Sequence, residues 1–182
     1  MSKVFFTSDL HLGYEDVLDK SIRPFRNINQ MTKTIIRNYN RRVSKNDLVY
    51  ILGDMFYRNV YKENKVFIHK CLQSLNGRKI LIMGNHDKWA ENEEFRNYFE
   101  YIGYNLTIYH ESNFIYLSHK PCVNKKMKER NFHLYGHLHD KEEILYNKFR
   151  KANFRNVGVD FNDFYPVTFD ELNSFRRDYK LG

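Results

Sequence analysis

Five short clusters along this 182-residue chain carry side chains that bind metal ions. They are Asp9-Leu10-His11, Gly53-Asp54, Gly84-Asn85-His86-Asp87, Ser118-His119 and Gly136-His137-Leu138-His139. Four of the five close an apolar run, which is where a strand ends. The carboxyl ends of strands in an open α/β sheet face the crevice where ligands bind, so these clusters are expected along one rim. Asp9 and His11 stand two apart and would point to the same side of an extended chain. Asp54 follows a glycine, and a carboxylate there can bridge two ions about 3.5–4 Å apart. Asn85 offers an amide oxygen, and His119, His137 and His139 offer neutral imidazoles. Oxygen and nitrogen donors without thiolate suit manganese first, with iron, zinc or nickel as alternatives, better than a structural zinc site. Two divalent ions facing only two carboxylates keep surplus positive charge for a hydroxide and an anionic phosphoryl group. Seven ligands on two ions also leave positions open for water, which is a catalytic arrangement.

The elements that must position these residues are readable from periodicity. Lys3 to Ser8, Leu48 to Leu52 and Lys79 to Met83 are short apolar strands, each followed by a cluster. Gln30 to Val43 and Glu63 to Leu75 have helical spacing, and Asn76-Gly77 ends the second as a helix-terminal glycine does. This alternation of strand and helix predicts an α/β fold with a parallel sheet. The second half reads differently. Leu106 to His110 and Asn113 to Ser118 form a hairpin around Glu111-Ser112. Phe132 to Tyr135, Ile144 to Tyr146 and Phe154 to Val159 are further strands. Thr168 with Glu171 predicts a capping box at the start of a last helix.

Composition sets the outer limits. Hydrophobic residues make up 42% of the chain and aromatics 16%, enough for one folded domain over residues 1–182. Thirty basic against 22 acidic residues leave a net charge of +8, which favours anionic partners. Cys71 and Cys122 have no paired spacing, so no disulfide framework is expected. No apolar run reaches the roughly 18 residues of a membrane span, and the N-terminus is not a signal peptide. A cytoplasmic address is the resulting expectation.

Taken in order, the five clusters make the chain resemble the calcineurin-like metallophosphoesterases, over nearly its whole length. Asn156-Val157-Gly158-Val159-Asp160 and Tyr165-Pro166-Val167 are similar to the ending of compact prokaryotic members. The resemblance implies a β-sandwich of two mixed sheets flanked by helices. It implies Asp9, His11 and His139 on a first metal ion, Asn85, His119 and His137 on a second, and Asp54 bridging them. His86 would face the scissile phosphate without binding metal, and Asp87 would orient its imidazole. The implied reaction is in-line attack on phosphorus by a hydroxide held on the two ions, with His86 stabilising charge or protonating the leaving oxygen.

Other candidates carry open alternatives. Arg23 could meet substrate phosphate through its guanidinium fork, or be an ordinary arginine beside a loop proline. Lys120, Lys125, Lys126, Lys128 and Arg130 could wall the site against polyanions or be a solvated loop. Lys148, Arg150, Lys151 and Arg155 interleave with Tyr146, Phe149 and Phe154, either as a single-strand clamp or as an amphipathic hairpin. His69, His110 and His133 read as surface or internally satisfied histidines, with His133 also a candidate to support a ligand. The expected activity is hydrolysis of a small organic phosphate or nucleotide, first a phosphodiester. A nuclease or end-processing enzyme is the alternative, with nucleic acid as partner, and a non-catalytic interaction module is the third reading.

Overall fold

A computed structural model describes residues 2–21, 23–122, 131–139 and 153–178. The expected strand at Ile144 to Tyr146 and most of the two basic stretches lie outside the described residues.

Four strands, β1 (Val4–Thr7), β2 (Leu48–Ile51), β3 (Arg78–Ile82) and β4 (Tyr101–Gly103), pair in that order, every pair parallel. Between them run α1 (Val17–Lys20), α2 (Ile28–Arg42), α3 (Arg58–Glu63), α4 (Lys65–Ser74) and α5 (Glu93–Arg96). The second sheet is β5 (Asn105–His110), β6 (Asn113–Ser118), β7 (Asn131–Tyr135) and β8 (Phe154–Asn156), with the first pair antiparallel and the others parallel. The helix α6 (Phe169–Asp178) follows.

Strand alternation divides the core in two. Phe5, Val49, Ile51 and Leu81 pack with the helices, against Met31, Ile35 and Tyr39 of α2 and Ile68 and Leu72 of α4. Their neighbours Phe6, Tyr50, Leu52, Ile80 and Ile82 turn the other way and meet Ile115, Leu117, Phe132 and Leu134 of the second sheet. The result is a β-sandwich with α2 and α4 on one side and α6 against the inter-sheet core through Phe169 and Leu172, so both faces of the first sheet are buried as continuous apolar strands require. The expected sandwich of two sheets flanked by helices is borne out: the second sheet mixes antiparallel and parallel pairs, and the four strands of the first pair in parallel. An antiparallel partner reaches it only as an isolated bridge between Phe6 and Val167, and a second bridge joins Ser8 to Gly158.

Local chemistry explains the boundaries. The Asn27 side chain accepts from Gln30 N–H at 2.9 Å and starts α2 ahead of the expected Gln30. Asn64 accepts from Phe67 N–H at 2.9 Å and starts a new helix where one uninterrupted helix from Glu63 was expected. Thr168 and Glu171 form the expected box: Thr168 N–H donates to Glu171 Oε2 at 2.8 Å, and Glu171 N–H to Thr168 Oγ1 at 3.4 Å. The hairpin turns on Glu111 and Ser112, both at positive φ. The last strand stops at Asn156 rather than Val159, because Gly158 leaves the ladder to bridge Ser8.

The two faces of β6 offer a direct check. Leu117 is buried between the sheets, whereas Phe114 is more than half exposed. Leu117→Ala is expected to cost about 2–5 kcal/mol in urea unfolding, and Phe114→Ala less than about 1 kcal/mol.

Candidate metal centre

The strand ends of both sheets converge on one rim, and the clusters meet there. Asp9, His11 and His139 bring one ligand atom each within 4.8 Å of one another, and so do Asp54, His119 and His137. Asn85 joins the second group, with Oδ1 3.2 Å from His119 Nε2, which is itself 3.2 Å from His137 Nδ1. Asp54 lies between the groups. Its Oδ2 is 3.4 Å from His119 Nε2 and 3.8 Å from His11 Nε2, while its Oδ1 accepts from His86 N–H at 3.1 Å.

The backbone reaches this arrangement by an unexpected route. Asp9 and His11 share a group, but not through extended alternation: their φ angles are 59° and 46°. Asp54, His137 and His139 are also left-handed, at 55°, 73° and 47°. Such conformations cost roughly 1–3 kcal/mol each and persist only where the surroundings over-determine them. Cross-loop hydrogen bonds do that here. Asp9, His11 and Leu12 N–H donate to the carbonyls of Gly53, Asp54 and Met55 at 3.0, 3.0 and 2.9 Å, zipping the first loop to the second. Two glycines make room. A Cβ at Gly84 would strike the Asp54 carboxylate, and one at Gly136 would strike Ser8 Oγ and the Asp9 carboxylate.

The donor set fits divalent ions. Asp9 Oδ1 and both ring nitrogens of His11 are buried without a hydrogen-bond partner among the described residues. Orphans of this kind are costly unless an ion takes them up. Ligand atoms sharing one ion at about 2.1 Å stand about 3–3.4 Å apart, the spacing seen around His119. His119 Nδ1–H donates to Leu52 O at 2.8 Å, which turns Nε2 toward the centre. Burial holds His11 and His137 below the usual histidine range, His137 at about 4, so both rings are neutral donors. Burial also raises Asp9, partly offset by the charges of His119 and His139. Against its own burial, Asp54 is held well below the carboxylate range by the His119 hydrogen bond and by the charges of His119, His11 and His86. Burial would depress His119 too, but Asp54 and Asp9 lift it to about 9. The field of the two carboxylates calls for a cation.

Two expected roles change. Asp87 does not orient the His86 ring. Its carboxylate is fully buried and accepts from Asp54 N–H (2.6 Å), Met55 N–H (3.1 Å), Gly84 N–H (2.9 Å) and Trp89 Nε1–H (3.2 Å). Asp87 fixes the backbone that carries Asp54, and burial with the nearby Asp54 charge pushes its pKa up to about 6. Arg23 does not face substrate. Its buried guanidinium donates to both Asp160 oxygens at 2.7 and 2.9 Å, and to the carbonyls of Asp9 at 2.7 Å and Leu10 at 3.3 Å. Asp160, absent from the expected site, is thereby the link between loops. Its Oδ2 also accepts from His139 Nδ1–H at 2.9 Å, leaving His139 Nε2 for an ion. The signal was present but weaker than at Asp54, since Asp160 lies four residues past a strand end with Val159 between it and Gly158. His133 is no ligand; its Nε2 lies 2.7 Å from Ser118 Oγ under the sheet. His69 and His110 pair with Tyr98 and Glu111.

Asp160→Ala is expected to weaken metal binding about ten- to hundredfold, read by metal titration. It should also cost about 3–5 kcal/mol in urea unfolding, because Arg23 is left buried and unpaired. Arg23→Met combined with Asp160→Leu should regain much of the stability and none of the metal affinity. Equal recovery of both would show that Asp160 does not position His139.

The sequence pattern of the calcineurin-like phosphoesterases matches residues 2–178. An uncharacterized protein of Methanocaldococcus jannaschii is 33% identical over 174 residues, covering 93% of this chain and 89% of that one. A protein of unknown function from Aquifex aeolicus has a similar solved structure, with TM-score 0.75 and 26% identity over 96% of this chain and 100% of that one. Pseudomonas putida nuclease MPE shares the fold at TM-score 0.51 and 18% identity, over 75% of this chain and 61% of that one. With the family pattern spanning both sheets and all five clusters, this chain belongs to the calcineurin-like phosphoesterases and is a metal-dependent phosphoester hydrolase.

Proposed function

We propose that the chain hydrolyses a small organic phosphodiester at two divalent ions, manganese first among them, with His86 meeting the ester. The observation that carries this reading is the setting of His86. Its backbone is anchored to Asp54 Oδ1, yet its ring accepts and donates no hydrogen bond among the described residues and is one-quarter exposed. The ring lines a cavity of about 480 Å³ that it shares with His11, Tyr14, Val17, Lys20 and Tyr57. That volume suits a compact organic phosphate. A larger hollow, about 670 Å³, lies at the opposite rim, but its Arg42 and Arg78 are already paired with Glu171 and Glu100.

Asp9, His11 and His139 would hold one ion, Asn85, His119 and His137 the other, and Asp54 would serve both. Bound there, the ions supply Lewis acidity that acidifies water and neutralises phosphoryl oxygens. The chain's own residues do the rest. Asp54, Asp87 and the left-handed loops fix the donors before substrate arrives, and the cavity wall admits the organic group. Water adds to phosphorus as the ester P–O bond breaks and releases one proton to solvent, and His86, protonated from solvent beforehand, gives the departing oxygen its proton.

His86→Ala is expected to retain metal and lose about a hundredfold or more in kcat, whereas Asp54→Asn should lose metal and activity together. Metal analysis showing His86→Ala empty and Asp54→Asn fully loaded would reverse these assignments. A manganese-supplemented screen should cover bis(p-nitrophenyl) phosphate, p-nitrophenyl phosphate, a 2′,3′-cyclic nucleotide and single-stranded DNA. Preference for the small diesters is expected. Turnover of DNA alone, with steep salt dependence, would identify a nuclease instead, and inertness toward all four would favour an interaction module.

A further inference from the structure

We infer that Tyr57 is the positioning residue of the His86 imidazole, acting through a three-ring stack that joins three loops of the site. The inference rests on the proposed role of His86 as the group that meets the ester. A histidine that must present one nitrogen to a substrate oxygen needs its two side-chain torsions fixed, and a carboxylate or carbonyl at the other nitrogen usually does this. Among the described residues no such partner reaches the ring. Asp87 is committed to four other donors. The nearest carboxylate oxygen, Asp54 Oδ2, is 3.9 Å from His86 Nε2, beyond hydrogen-bond reach.

What does contact the ring is Tyr57. The ring centroids are 4.1 Å apart with planes inclined by 39°. The second face of Tyr57 lies on Tyr14, at 3.8 Å and 6°, a close parallel stack. Tyr14 is held in turn: it is buried, its hydroxyl accepts from Lys20 Nζ at 2.6 Å, and it donates to Asp16 Oδ2 at 3.1 Å. Tyr57 is itself fixed at the start of α3, where its carbonyl accepts from Val60 N–H at 3.0 Å. His11 flanks the stack, 6.0 Å and 63° from the His86 ring and 6.1 Å and 45° from Tyr14. The histidine is therefore bounded by an aromatic wall and a metal ligand, and its edge faces the cavity.

The three stacked rings follow three different clusters. Tyr14 comes three residues after His11, Tyr57 three after Asp54, and His86 directly after Asn85. The stack thus registers the proton donor against the loops that carry ligands of both groups, with ring contact where the more usual device is a hydrogen bond.

The test is a double-mutant cycle on manganese-loaded protein, with bis(p-nitrophenyl) phosphate and a phosphodiester of a poorer leaving alcohol. Tyr57→Phe keeps the ring and should stay within about twofold of the parent kcat. Tyr57→Leu should lose about tenfold in kcat, which is about 1.4 kcal/mol, with metal content unchanged and the larger loss on the poorer leaving group. On the His86→Ala background, Tyr57→Leu should cost nothing further. The upfield ring-current shift of the His86 ring protons, read by NMR on protein loaded with diamagnetic zinc in place of manganese, should survive in Tyr57→Phe and vanish in Tyr57→Leu. If Tyr57→Leu does not fold, Tyr14→Leu removes the back of the stack and should show a smaller loss with the same dependence on His86. A full loss from Tyr57→Leu in the absence of His86, or unchanged kcat with the ring-current shift gone, would overturn the inference. Parent-like turnover by His86→Ala would instead overturn the role proposed for His86, and the positioning inference with it.

Discussion

A carboxylate buried beside imidazoles cannot hold its charge without a partner, and Asp54 sets this condition for the whole rim. One of its oxygens is tied to the chain through His86 N–H. The other faces His11, His119 and His86 at 3.4–3.9 Å. Moving an isolated carboxylate into such a setting would cost several kcal/mol. The converging donors make that cost recoverable, because cations entering the two groups neutralise it. The parallel strands, the glycines and the second carboxylate Asp87 all serve to keep Asp54 at that point.

The backbone bears the strain that this convergence demands. Five of the clustered donor residues are left-handed, each two to four residues beyond a strand end. A strand that simply continued would separate Asp9 from His11 along the edge and carry His139 away from both. The reversal turns successive donors inward, and hydrogen bonds from the first loop to the second hold the turns in place. Asp87 secures the Asp54 turn from below through its bonds to the backbone N–H groups of Asp54, Met55 and Gly84. Rigid donors are what a metal-dependent hydrolase requires, since geometry fixed in advance need not be organised during the reaction.

A second buried charge pair binds the two halves of the sequence. Arg23 and Asp160 lie 137 residues apart and meet with almost no solvent exposure. Such a pair contributes little net stability, but losing one partner is expensive, so it specifies one arrangement of loops. Here it ties the Asp9 and Leu10 carbonyls to the His139 ring. The guanidinium that resembled a phosphate ligand in sequence is therefore part of the frame, as is the carboxylate that resembled an orienting partner for His86.

The sequence by itself determined the donor types and the strand-then-donor order. Residue type fixes donor chemistry, and apolar runs ending in Gly-Asp or Gly-His mark strand termini wherever they fall. It also determined the parallel first half, the hairpin at Glu111-Ser112 and the Thr168 cap, since each depends on neighbours close in the chain. Tertiary structure alone decided which way Arg23 and Asp87 point, because both answer to partners that only folding brings near. It also decided the left-handed loops and the ring stack on His86. Periodicity can report that Tyr14 and Tyr57 exist, but no spacing encodes that their rings meet at 3.8 Å beside the imidazole. That contact arises when separate strand ends are drawn to one rim by the charge they share.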